Sequence, residues 1–498
     1  MTVRVVLKSL AEMTLENAER LAFNQAELEL SQEALERIDR GRERFEAYMH
    51  RKGDGYVYGS TTAPGARALV TLSKENSRRQ GTTLRAFSAI KAGVAGDFLA
   101  ERCVRLALFA RLSNAMTGYG KLRRETAIAV ANLLRSPPPV PMAAGACPGE
   151  VIPLSWLVAP LADLPLAAGE AMALVNGSPF ATAMACDVGL TLKRRVKLAE
   201  LIFALSIEAA ECPLGHFDRR LADHWVDPYY KESLNRLDAL LQGSERKQLS
   251  HQAPTSWRVI PNILASCLQA IDEVSRSAVI GLHSLKDNPT FLIDQTGDEH
   301  DLIVSSAGYH DHRAAKCTDQ TNSVLVDICV LAARQVDRLL DGQGLGLPPL
   351  LERPGDHAGL EYLAWGLTEP LATARRAAES TTLDIGLHDP AGNQSDVASL
   401  CFVAYPKHRI VANAFDNCLA TLAVTAVLAL EFRQTPVPTA LRPLWELLSG
   451  FTRSAVERAN VVGQPLRQAA EFMRACADEM SCAQFEAALT GGQLPSVQ

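Results

Sequence analysis

Gly145-Ala-Cys-Pro-Gly-Glu-Val-Ile-Pro-Leu-Ser-Trp156 is the stretch on which both the fold and the chemistry of this chain turn. Pro148 stands where a helical segment begins. The first helical position suits proline, because the N–H it lacks would have no intrahelical acceptor there. Just upstream, Ser136-Pro-Pro-Pro-Val-Pro141 reads as a stiff connector that ends one helix and feeds the Cys147 loop.

Outward from this loop, helical periodicity dominates. From Leu192, the residues Val196, Ala199, Phe203, Ile207 and Ala210 share one face, while Lys193, Arg194 and Lys197 point elsewhere. Similar patterns predict helices over roughly 98–135, 258–285, 314–341, 357–381 and 408–433. Strand signals are few and short: Val3 to Leu7, Phe291 to Ile293 and Leu302 to Val304. Gly342 to Pro349 and Gln434 to Pro438 mark breaks. The fold class is mainly α, a long-helix bundle with small irregular or β pieces.

Composition narrows the partners. The 498 residues are 47% hydrophobic with a net charge of −6, and no basic patch or tail speaks for nucleic acid. The eleven cysteines are scattered with no Cys-x-x-Cys, so no metal site is expected and reduced buried thiols are the plain reading. Met1-Thr-Val-Arg-Val-Val-Leu-Lys8 breaks into charge at once and lacks a signal-peptide core. Polar residues interrupt the apolar runs, so no membrane span is expected and a cytoplasmic location is the default.

The Cys147 loop resembles the Ala-Ser-Gly-Asp-Leu-x-Pro-Leu-Ser/Ala segment of the histidine/phenylalanine (aromatic amino acid) ammonia-lyase family. Tyr58-Gly-Ser-Thr-Thr-Ala-Pro-Gly65, Arg111-Leu-Ser-Asn-Ala-Met-Thr-Gly-Tyr-Gly120 and Glu170-Ala-Met-Ala-Leu-Val-Asn-Gly177 are similar to further family segments. So are Ser256-x-Arg258 with Pro261, Ser284-Leu-Lys-Asp-Asn-Pro289, His310 and Asn393-Gln394, all in family order. The resemblance implies the long-helix fold shared by fumarase, aspartase and histidase. It also implies a homotetramer whose active sites are shared between subunits. Residues 1–205 would form a histidase-like domain carrying the Tyr58 loop and the degenerate cofactor loop, and 206–498 a central and C-terminal helical bundle.

In that family the Ala-Ser-Gly residues cyclise and lose two waters to make a methylidene-imidazolone electrophile. Here Gly149, Pro153 and Leu154 match, but Cys147 and Pro148 fill the other two places. Proline has no β-leaving group to eliminate. In the alternative register its nitrogen would have to close the ring, and that nitrogen carries no proton. The predicted cofactor content is therefore none.

By the same resemblance Tyr58 is the candidate base at the substrate β-carbon. Arg258 is the candidate carboxylate holder, a role its planar fork suits. Asn176 would hydrogen-bond near the substrate amine, although Asn-Gly also makes turns unaided. Asn393 and Gln394 are site-lining candidates. Departures surround them: Thr255 replaces a tyrosine, Ala253 an aspartate, Gly308-Tyr309 an Asn-Phe, and Ser395 a glutamate. The segment from Leu72 to Gly81 lacks a substrate-contacting histidine. Family helix N-termini converge on this loop; if they do so here they would lower the pKa of Cys147 and make it the candidate nucleophile, with an inert buried cysteine in a decayed site as the competing reading.

Three functions remain. One is an ammonia-lyase-like enzyme without the methylidene-imidazolone, acting on an amino-acid-like carboxylate or its derivative by elimination, addition or cyclisation. The second is a Cys147-dependent covalent acyl transferase or cyclase. The third is a non-catalytic binding or scaffold homologue.

Overall fold

The expected helices form, with ends set by local breakers. This computed structural model describes residues 4–53, 55–63, 69–73, 96–143, 145–249, 252–354, 359–383, 397–433, 436–457 and 463–489. The 98–135 pattern divides into Glu101–Met116 and Arg124–Asn132, because Gly118 takes a positive φ of 76° between them. The long patterns become Ile260–His283, His312–Asp341 and Cys401–Arg433, the last continuing through Pro406. The 357–381 pattern yields only the short helices Tyr362–Trp365 and Thr368–Ala377.

The three expected strands appear as Arg4–Leu7, Thr290–Leu292 and Leu302–Val304, the last two pairing antiparallel. A strand not foreseen, Glu27–Leu30, lies parallel to the first with Val5 opposite Leu28. It runs into the Gln32–Lys52 helix, where the Ser31 hydroxyl caps the Ala34 amide at 3.2 Å.

By contacts the chain forms two compact units. The first gathers Met1–Leu190, Val274–Thr318 and Ser380–Pro406; the second gathers Thr191–Glu273, Asp319–Glu379 and Lys407–Gln498. The expected division was a single cut after residue 205. The chain instead passes between units repeatedly, first at Leu190–Thr191 within the Pro179–Ala209 helix.

Each unit has its own core. In the first, Leu108, Phe109 and Leu112 of the Glu101–Met116 helix pack with Leu154, Leu174, Phe180 and Phe402. In the second, Ile202 and Phe203 pack with Trp257, Leu325, Phe415 and Leu419. Burying each of these side chains contributes about 1.5–3 kcal/mol.

The Cys401–Arg433 helix departs from the expectation of interrupted apolar runs. By length and composition it could cross a membrane, yet 83% of its most apolar window is buried by the protein itself. It is a core helix here.

Candidate functional site

The Cys147 turn is built by backbone geometry that only particular residues permit. Pro148 opens the short turn Pro148–Glu150, as its place in the sequence requires, and the Glu150 amide donates to the Cys147 carbonyl at 3.2 Å. Gly149 (φ 68°) and Glu150 (φ 50°) both take left-handed backbone, swinging the chain into the Val151–Leu157 helix. A side chain at Gly149 would collide with Asn176 Oδ1 and lie 3.5 Å from the Tyr309 ring. Glycine is required there.

Three ties hold this turn in the first unit. The Ala146 carbonyl accepts from the Ser399 amide at 2.9 Å, and the Gly149 carbonyl accepts from Gly177 at 3.1 Å. The wholly buried Glu150 carboxyl accepts from the Phe180 and Ala181 amides at 2.7 and 2.8 Å. These amides open the Pro179–Ala209 helix, whose N-terminus favours negative charge. Burial nonetheless dominates and pushes Glu150 up to about 8, against the pull of those amides and of Lys286.

The expected low-pKa thiol is corrected by the same physics. Cys147 does receive the amides of Ile152 and Val151, as a helix start should provide, but its pKa is raised. Burial is the largest cause, and the neighbouring Glu150 charge adds to it.

Asn176 ends the Glu170–Val175 helix in extended backbone (φ −129°, ψ 133°), so its side chain is not consumed in a turn. Its Nδ2 donates to the Asn288 carbonyl at 3.3 Å, while its buried Oδ1 has no hydrogen-bond partner. Arg111 and Asn114, one turn apart on the Glu101–Met116 helix, fix this neighbourhood. Arg111 donates to the Asn176 carbonyl at 2.8 Å, and Asn114 bonds both the amide and the carbonyl of Lys286 at 2.8 Å. Lys286 in turn reaches Asp311 at 2.5 Å and Thr182 at 2.6 Å.

Tyr58 belongs to the same unit. It is half-buried against that unit's core, and the adjoining Gly59 (φ 65°) approaches Met172 so closely that any side chain would collide. Tyr58, Cys147 and Asn176 are thus carried by one unit. Arg258 lies in the other, at the end of the Thr255–Arg258 helix, where it bonds the Ala253 carbonyl at 2.9 Å and the Thr255 hydroxyl at 3.4 Å. Asn393 and Gln394 lie outside the described residues, as do Ser395 and positions 74–81.

Sequence reasoning missed Glu150, Lys286 and Tyr309 as neighbours of the loop. Their signal was present: Glu150 follows Gly149 in the quoted stretch, and the other two sit in motifs read only as landmarks. Among the described residues no group of three or more His, Cys, Asp or Glu side chains is placed to hold a metal ion.

The methylidene-imidazolone does not fit these residues. Ring closure in this register would need from Pro148 a hydroxyl it lacks, and one residue earlier it would need an N–H that Pro148 also lacks. The unpartnered Asn176 Oδ1 asks for a hydrogen-bond donor, which that dehydrated ring would not supply from position 148.

Comparison with known proteins places this geometry. The profile for aromatic amino acid lyases matches residues 13–162 and 157–461. A histidine ammonia-lyase of Caldanaerobacter subterraneus subsp. tengcongensis is 26% identical over 460 residues, covering 85% of this chain and 87% of that protein. One from Burkholderia cenocepacia is also 26% identical, over 479 residues, covering 88% and 91%. Among solved structures, tyrosine aminomutase from Streptomyces globisporus superposes with a TM-score of 0.82 at 21% identity, covering 100% of both chains. Ergothionase from Treponema denticola gives 0.84 at 18% identity, covering 95% of this chain and 99% of that one. The sequence match runs through the Tyr58 loop, the Cys147 turn and Asn176 alike, and this chain belongs to the aromatic amino acid lyase family.

Proposed function

We propose that this protein is a lyase-class enzyme that acts on an amino-acid-like carboxylate or its derivative, by elimination, addition or cyclisation, without a methylidene-imidazolone. Membership of a family whose relatives include histidine ammonia-lyases supports the lyase class and a small amino-acid-like substrate. One observation carries the departure from those relatives: Pro148 stands between Cys147 and Gly149, with neither a β-leaving group nor an N–H to give to the ring.

The chain's own residues then supply the chemistry. Tyr58 takes the β-proton, Arg258 holds the carboxylate, and Asn176 Oδ1 accepts from the substrate amine, satisfying an acceptor otherwise buried at a cost of roughly 1–3 kcal/mol. A phenol works as a base when nearby positive charge or helix N-termini favour phenolate. Asn393 and Gln394 line the site in this reading, and homotetramer assembly completes it. The raised pKa of the half-buried Cys147 thiol weighs against the covalent transferase or cyclase reading, and the persistence of Tyr58, Asn176 and Arg258 together weighs against a scaffold.

The test is a panel of amino acids and their acyl derivatives, monitored for ammonia release and for new unsaturation by ultraviolet absorbance. Turnover by the wild-type protein and its loss in Tyr58→Phe are expected, by about 10²-fold or more if the phenol moves the proton. Unchanged turnover in Tyr58→Phe would remove the base from this scheme.

A further inference from the structure

Glu150 is a carboxyl that the proposed reaction does not use, yet its side chain ties the Cys147 turn to the Pro179–Ala209 helix. It is fully buried, holds a left-handed backbone, and spends both oxygens on the Phe180 and Ala181 amides. Pinned in this way, it fixes where the Val151–Leu157 helix begins. The start of that helix directs the Val151 and Ile152 amides at the Cys147 thiol.

The charges around Glu150 come from every element packed on it. Lys286 favours its ionised form and Asp311 opposes it, while Arg111 and Cys401 feel its charge in turn. Cys147, three residues back along the turn, is the thiol it touches electrostatically on the site side.

We propose that Glu150 is the positioning residue of Cys147: it clamps the turn to the Pro179–Ala209 helix, and the charge on its carboxyl sets how readily the thiol meets a soft electrophile. With Glu150 neutral, the thiol faces two amide donors. With Glu150 ionised, the developing thiolate must form beside a buried carboxylate, and Coulomb repulsion in a poorly screened interior opposes it. This holds whichever reaction the site performs, so it stands or falls separately from the function proposed above.

Iodoacetamide is the probe, with Cys147 modification followed by peptide mass mapping in the folded protein at pH values on both sides of the Glu150 titration near 8. Sulfur displaces iodide at the methylene carbon, so the rate reports thiolate. In the wild-type protein the rise of rate with pH is expected to bend and flatten as Glu150 ionises near 8. Glu150→Gln removes the bend and speeds labelling at the alkaline end by roughly threefold to tenfold, the tenfold limit corresponding to one pKa unit. Glu150→Asp, which retains the charge, keeps the bend. A Gln variant of native circular dichroism whose profile superimposes on the wild type would reduce Glu150 to a helix cap and overturn the proposal. Should the Gln variant not fold, the wild-type profile decides alone: a single titration without a bend overturns it.

Discussion

Two buried polar clusters, one in each unit, are wired in opposite ways. In the second unit Arg195 meets Asp416 at 2.9 and 3.0 Å and Asp478 at 3.1 Å through both its terminal nitrogens, so its guanidinium is enclosed and paired throughout. The two carboxylates hold its charge firmly against the burial that would strip it. In the first unit the polar atoms around Gly149 are left hungry: Asn176 Oδ1, Ser178 Oγ and Arg111 Nε are all buried with no partner. A satisfied cluster is finished when the chain folds. An unsatisfied one keeps its desolvation cost until something else enters. In the function proposed above, a substrate is what enters the first-unit cluster.

The contrast can be broken most forcefully at Arg195. Removing it leaves the buried Asp416 and the half-buried Asp478 without their cation, so Arg195→Ala is expected to lose about 3–5 kcal/mol in urea unfolding. A loss under 1 kcal/mol would mean that the paired cluster is not structural.

Next in size comes a pH effect from Glu150. Its carboxyl is raised from 4.5 to about 8 in the folded chain. Below about 4.5 both folded and unfolded chains carry the proton, and the contribution is complete. As pH rises, the unfolded chain gives up the proton first, so stability falls until about 8 and then levels. Thermal unfolding across that window should show this decline in the wild-type protein and not in Glu150→Gln. Equal slopes would place the titration elsewhere.

Gly149→Ala sharpens the comparison from the site side. A methyl on left-handed backbone that also meets Asn176 Oδ1 should cost about 1–3 kcal/mol. Chemical denaturation measures it, and a neutral outcome would show that the turn is looser than described. Smallest of all is Asn176→Ala. Only the long 3.3 Å bond to Asn288 is lost and an orphaned acceptor is removed with it, so stability should change by about 1 kcal/mol or less while turnover collapses. A loss as large as that at Arg195 would make Asn176 structural.

The sequence disclosed these regions unequally. Long apolar periodicity located Ile260–His283 and His312–Asp341 to within a few residues, because burial on one face leaves a 3.6-residue signature. The strand Glu27–Leu30 escaped because its four residues, Glu-Leu-Glu-Leu, form a pattern too short to separate from the helix that follows. The contact units differ from a division at 205: the chain first passes between them at Leu190–Thr191, inside the Pro179–Ala209 helix, where helical periodicity runs on across the boundary. At the site, motif order gave Tyr58, Asn176 and the Cys147 turn. It could not reveal that burial outweighs two amides at the thiol, since motif order carries no information about solvent access.

The most direct measurement is the intact mass of the purified protein, supported by mapping of the peptide containing residues 145–156. A mass equal to that of the unmodified sequence is the expected result, with Cys147, Pro148 and Gly149 intact. A deficit of two waters localised to that peptide would mean that the ring forms after all, and the account given for this site would be wrong.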